Sequence, residues 1–579
     1  MPRPLTSLLA GAALAAGAVA LAAYVAPPAQ EAPARTERDW PAFVAAFLDA
    51  YFEANPPSAV SAGRHEFDGR LPDWSPEAIR REIARLERQR DEALAFLESG
   101  LTPAERLERD YLVASVDGLL FWMRSAEWPF RNPAYYSGSL DPDVYVSREY
   151  APLPERMRAY LRYAREVPRA ARQVRANLRT PMPRSWVAVG RIAFGGLARY
   201  YAEDVPGVFK DVDDPALQRE LREANQGAVR AMTELDQWLA EEEKRATEGF
   251  AIGAGRFAEM LRATERVEVP LERLRSIGER DLQRNVAALE EACKQLAPGA
   301  SLGDCVERVR RDKPEEGPVA AARRQLRTLR TFVESKDLVT IPGPEQAEVA
   351  ESPPYMRWNF AYISIPGPYE HDLPSVYYIA PPDPSWSREE QLEYTPGEAD
   401  LLFTSVHEVW PGHFLQFLHA NRSASTFGRV FVGYAFAEGW AHYTEEMMWE
   451  AGLGGGNPDA HVGQLLNALL RNARYLSAIG LHTGAMTVEE SERLFRERAF
   501  QDPGTARQQA ARGTFDPGYL NYTLGKLMIL ELREDWTATR GGRRAWKAFH
   551  DAILGYGGPP IPLVRADMLG SRGGPPLAE

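Results

Sequence analysis

The sequence predicts a mainly α-helical chain with one small β hairpin or sheet near 355–380. Three observations carry that prediction. Amphipathic runs of helical period fill the first 340 residues, Pro-rich breaks separate them, and the texture turns aromatic and β-branched only between 356 and 379. The run PEAIRREIARLER from Pro76 sets apolar residues at helical spacing beneath a heavily charged face. Comparable runs occupy 103–126, 153–178, 214–246, 254–263, 270–297 and 318–335, with no repeat period linking them. RWNFAYISI (357–365) and SVYYI (375–379) read as strands, a Pro-rich loop follows at 381–396, and long helices resume near Ala399.

The chain has 579 residues, 45% of them apolar and 26% charged, which is ordinary for a globular protein with a large core. A net charge of −13 argues against nucleic acid or an anionic membrane surface as a broad partner, since both require a basic face. Residues 1–26 have the form of an export signal: Arg3, an apolar stretch from Leu5 to Ala23, then small residues before Pro27. The stretch is also close to membrane-spanning length, so an uncleaved anchor is the alternative, and only then would the protein meet a membrane. No cysteine lies where a lipid anchor would need one. Residues 27–37, rich in Pro, Ala and Glu, read as a disordered spacer, leaving 38–575 as the helical domain with its motif-bearing half at 350–575. The protein is expected to be periplasmic or secreted. Cys293 and Cys305, the only cysteines, flank a Pro-Gly turn and are expected to be bridged in an exported protein.

Eight of the nine histidines lie at or beyond residue 371, which directs attention to TSVHEVWPGHFLQ (404–416). A His-Glu pair followed by a second His is how many zinc hydrolases present two imidazoles and a carboxylate base. The usual second His is at i+4, whereas His413 is at i+6 from His407. In a straight helix the two rings would point about 120° apart and lie about 9 Å apart along the axis. Pro411 removes an N–H and collides with the carbonyl of His407, Trp410 precedes a proline, and Gly412 tolerates unusual dihedrals, so the helix should break or bulge there. With Pro411-Gly412 looped out, both imidazoles can converge; otherwise His407 ends a helix and His413 is a satisfied core residue.

The segment AFAEGWAHYTEEM (435–447) offers the third ligand. Glu438, His442 and Glu445 share a helical face, and Glu438 lies among Phe436, Trp440 and Tyr443, where an unpaired carboxylate is expensive. A solvated acidic stripe explains Glu445 and Glu446 better than it explains Glu438. His442 stands as an alternative ligand or as a partner that orients one.

HEVWPGHFLQ, EGWAHYTEEM, RNARYLSAIGLHTGAMTVEES (471–491), PGYLNYTLGKLMILELR (517–533) and FHDAILGYGGPPIPL (549–563) resemble segments of the DUF885 family, a bacterial group placed near the gluzincin metallopeptidases. The resemblance is weak before residue 340 and strong after it. It implies a helical zincin-like fold with a deep cleft, one Zn2+ per chain on His407, His413 and Glu438, and Glu408 as base. Two departures stand out: Phe414 where relatives often carry a second His, and Ala478 where many carry an acidic residue.

The chemistry this implies is hydrolysis of a peptide or small amide, with Glu408 moving the water's proton to the leaving amine and Tyr522 or His482 donating to the oxyanion. Arg474, Arg512 and Lys526 are candidates to bind a substrate carboxylate, which would suit an exopeptidase acting on short peptides. An amidase acting on a non-peptide substrate would use the same site. A non-catalytic binding protein would have no need of Glu408, and no Gly-x-Ser-x-Gly elbow supports a serine hydrolase.

Overall fold

A computed structural model describes residues 39–353, 360–382, 384, 386–570 and 576–577. The export segment, the spacer and residues 356–359 of the 356–365 run lie outside the described residues. The chain is mainly helical, as its periodicity predicts. The first half builds α1 (Trp40–Ala54), α2 (Pro76–Leu94), α3 (Pro103–Leu120), α4 (Leu153–Asn177), α5 (Arg184–Phe209) and α6 (Pro215–Glu242). Local chemistry starts several of them. Pro occupies the first turn of α2, α3 and α6, where its missing N–H costs nothing, and Ser75, Thr102 and Asp214 cap the free N–H groups. Helix α5 escapes the periodicity analysis because Gly190, Gly195, Gly196 and Pro206 weaken its propensity. Burial of Phe194, Tyr201 and Phe209 in the first-half core, with α6 packed along the helix, forms it instead.

The second half follows with α7 (Ala254–Glu265), α8 (Leu271–Leu296), α9 (Leu302–Arg311) and α10 (Pro318–Ser335). The Cys293–Cys305 disulfide joins α8 to α9. Three strands come next, β1 (Ala347–Glu351), β2 (Ala361–Ser364) and β3 (Ser375–Ile379), in the order β1-β3-β2. Strand β3 is parallel to β1 and antiparallel to β2. The sheet sits where the aromatic run predicts it, with β1, AEVAE, as an unforeseen third member. The motif helices are α11 (Glu398–Glu408), α12 (His413–Ala420), α13 (Tyr434–Glu450), α14 (Pro458–Thr483), α15 (Pro503–Phe515) and α16 (Asn521–Ala538).

Two large apolar clusters, with a small third at Trp186, Phe250 and Leu481, form the core. One gathers Trp40, Phe47, Tyr160, Tyr201 and Leu239 of the first half. The other runs from Phe121 and Phe257 through Leu289, Leu329 and Tyr377 to Trp440, Tyr475 and Phe549. Helices α7 to α10 therefore share a core with the motif helices. Within it α13 and α16 touch backbone to backbone: a Cβ on Gly439 would stand 2.5 Å from Gly525 Cα, and one on Gly525 2.0 Å from Ala435 O. Two glycines at this crossing bring the start of α16 against the Glu438 face of α13.

Candidate metal centre

The break in HEVWPGH governs the site. Helix α11 ends at Glu408, Trp410-Pro411 is a cis peptide, and α12 starts at His413. The Pro-Gly corner folds back under α11, with Gly412 N–H donating to Val406 O at 3.0 Å and Trp440 Nε1 donating to Pro411 O at 2.9 Å. Only glycine fits at 412, because a Cβ there would stand 1.8 Å from His407 O. The helix thus stops and restarts rather than bulging, and the two imidazoles meet with ring centres 4.8 Å apart at 86°.

Glu438, one turn into α13, completes the group. Its Oε2 lies 3.3 Å from His407 Nε2 and 3.3 Å from His413 Nε2. The ligand-capable atoms of the three residues all fall within 4.8 Å of one another. Glu438 Oε2 is buried and lacks a hydrogen bond of proper geometry to either ring. Burial opposes its ionisation, but His413 and His407 hold its carboxyl well below the usual range. Ligand atoms on a tetrahedral zinc with bonds near 2.1 Å are roughly 3.4 Å apart. The spacing and the His-His-Glu donor set both fit that ion.

A second layer orients the first. Glu445, fully buried, accepts from His407 Nδ1 at 2.7 Å, which fixes the proton on Nδ1 and turns the Nε2 lone pair toward Glu438. The same carboxylate pairs with Arg471 at 3.0 Å and with His442 Nδ1 at 3.4 Å. Burial would raise the Glu445 carboxyl, yet Arg471, His442 and His407 keep it far below its ordinary value. His442 is buried and neutral, its pKa pushed down to about 4 by burial, and it serves Glu445 rather than joining the three ligands. From the sequence, a solvated stripe is the alternative that suits Glu445 and Glu446 best. They are interior residues, and the signal that could have exposed this is the i, i+7 spacing from Glu438 combined with Arg471.

Glu408 is the last residue of α11, partly buried, and it accepts from Ile363 N–H of β2. Burial pushes its carboxyl up to about 7, with His413 pulling down and Glu438 pushing up. Tyr522 also reaches the site: its ring is nearly parallel to His407, with centres 6.2 Å apart, and only 8% of the residue is exposed. Arg512 hydrogen-bonds the Tyr522 hydroxyl oxygen, leaving the O–H proton free to donate elsewhere.

The DUF885 model, described as "Bacterial protein of unknown function", matches residues 56–568. The chain belongs to that family. Two solved structures share the DUF885 chain's fold. A "putative lipoprotein of unknown function" from Shewanella oneidensis is 23% identical, with a TM-score of 0.77, over 92% of this chain and 100% of its own. A "putative lipoprotein" from Colwellia psychrerythraea is 17% identical, with a TM-score of 0.76, over 91% and 98%. No curated protein matches.

Two residues expected at the DUF885 site lie elsewhere. His482 sits eleven residues beyond Arg471 on α14, about 16 Å of helix. Its Nε2 donates to Gly513 O at 2.7 Å and its ring stacks on Phe257, so it is a core histidine and not an oxyanion donor. Lys526 is wholly buried, with Nζ 2.9 Å from Asp281 and 3.2 Å from Glu446. Its charge is spent joining α8, α13 and α16, which leaves none for a substrate. Arg474 and Arg512 do stand beside Tyr522.

Proposed function

We propose that this DUF885 protein is an exported zinc-dependent metallohydrolase, a peptidase acting on short peptides. The observation that carries the reading is Glu438 Oε2, buried and unbonded at 3.3 Å from two imidazole Nε2 atoms whose rings are already oriented. A buried carboxylate facing two ring nitrogens in that way calls for a cation among them. His407, His413 and Glu438 would hold one zinc, which supplies Lewis acidity for a carbonyl and for water. The zincin-like reading of the fold belongs to this proposal.

Glu408, next to His407 in sequence, takes the proton from the attacking water and returns it to the leaving amine as the C–N bond breaks. Tyr522 donates its O–H to the oxyanion. Strand β2 favours a peptide over a smaller amide. Ala380 N–H donates to Phe360 O at 2.7 Å, and the register pairs Tyr362 with Tyr378. In antiparallel alternation the N–H and C=O groups of Ala361 and Ile363 therefore face away from β3; Ile363 N–H already donates to Glu408, which leaves Ile363 C=O and the two Ala361 groups along that edge. An extended backbone can add there. The disulfide and the apolar N-terminal segment support export, as does the lipoprotein description carried by both structural relatives. Among the described residues no helix is long and apolar enough to cross a membrane.

Elemental analysis of the purified mature protein tests the reading. About one zinc per chain is expected, lost in His413→Ala and Glu438→Gln. Glu408→Gln should keep the metal and lose hydrolysis of a peptide library. A folded wild type that neither holds nor takes up zinc would overturn the proposal.

A further inference from the structure

Three guanidinium groups converge on Tyr522. Arg474 Cζ stands 4.8 Å from the ring centre, and Arg471 and Arg512 stand 5.9 Å from it. Two of them carry their own counter-charge, Arg471 with Glu445 at 3.0 Å and Arg512 with Asp516 at 2.9 Å. Arg474 does not. Although only 9% exposed, its one hydrogen bond among the described residues runs from Nε to Gln509 Oε1 at 2.8 Å. No carboxylate of the described residues pairs with it, and its two terminal amino groups remain unused. Burying a guanidinium without an anion is costly, and its planar fork matches an oxyanion held by two parallel hydrogen bonds, which on a peptide substrate is a carboxylate.

The position of that fork is as informative as its charge. Tyr522 contacts Arg474 at 4.8 Å and His407 at 6.2 Å, placing the guanidinium within about 11 Å of the His407 ring, a span of up to three extended residues. Resting on the metal-site reading above, we infer that Arg474 receives the C-terminal carboxylate of the substrate. The enzyme then removes one to three residues from the carboxyl end of a peptide. Lys526 is excluded from this role by its buried ion pairs with Asp281 and Glu446, and Arg512 is already occupied by Asp516. Arg474 is the cation left for substrate.

A tripeptide blocked at its amino end with a benzoyl group, made both as the free acid and as the C-terminal amide, provides the probe. Binding of each to metal-free protein is measured by calorimetry, and cleavage by zinc-loaded protein is followed by mass spectrometry. The acid should bind the wild type at least about 10-fold more tightly than the amide. That preference should fall below about 3-fold in Arg474→Gln and recover in part in Arg474→Lys. Products should be the benzoyl fragment and free C-terminal residues. Equal binding of acid and amide by the wild type would overturn the inference, as would an undiminished preference in Arg474→Gln. Should that variant fail to fold, the wild-type ratio decides alone. Because the binding arm uses metal-free protein, a missing zinc or absent hydrolysis would refute the metal reading while leaving the carboxylate preference separately visible.

Discussion

Glu445→Gln is the substitution that best separates an oriented metal centre from a chance meeting of polar residues. Glu445 does not reach the proposed ion. It acts through His407, whose Nδ1–H it accepts at 2.7 Å, and it is fully buried. Glutamine keeps the shape and removes the charge, so the hydrogen bond to His407 becomes neutral and the imidazole loses basicity. Losing one charge-assisted bond of this kind costs about 1.5–3 kcal/mol, or roughly 10- to 100-fold in zinc affinity. A second effect follows from Arg471, which pairs with Glu445 at 3.0 Å and would be left as a buried cation. Breaking one side of such a pair costs about 3–5 kcal/mol of stability. Competition with a chromophoric chelator at pH 7 measures the affinity, and urea unfolding of the metal-free protein measures the stability. A folded variant that binds zinc within twofold of the wild type would refute the orienting role of Glu445.

Three further outcomes are expected. Gly412→Ala places a Cβ 1.8 Å from His407 O, so the α11–α12 corner must open and zinc stoichiometry should fall well below one; full occupancy would show that the corner adapts. Lys526→Met leaves Asp281 and Glu446 facing each other in the interior with only Arg284 for charge balance, and urea unfolding should show a loss of about 3–5 kcal/mol. His65 is half-buried, which alone would lower its pKa, but Asp68 and Glu370 raise it from 6.5 to about 9. A raised folded pKa contributes its full stability below pH 6.5 and loses it as pH climbs through about 9. For a ring whose side chain is 25% exposed that is about 2 kcal/mol after screening. The wild-type urea midpoint should fall across this window, and His65→Gln should lack the slope.

Much of this protein is legible from its residues alone. Helical period, Pro breaks and the aromatic run between 356 and 379 determine the fold class, because amphipathic spacing and β-branched content are local properties. The three proposed ligands and Glu408 can be named from two short segments, and a broken helix follows from the collision of Pro411 with the His407 carbonyl. Where reasoning from sequence fails, the cause is tertiary. Helix α5 is formed by burial against α6 despite its glycines, and β1 gains its place only by pairing with β3. Single ionisable residues are hardest to place, since a charge reads the same on the surface and in the core. Lys526 and Glu446 neutralise each other across α16 and α13, and Glu445 finds Arg471 on another helix. Of the three guanidinium groups at Tyr522, Arg474 is the one with no carboxylate partner among the described residues. Which charges are spent on structure and which remain for chemistry is a property of pairs distant in sequence, and the close crossing of α13 and α16 at Gly439 and Gly525 is what brings Tyr522 to the proposed metal ligands.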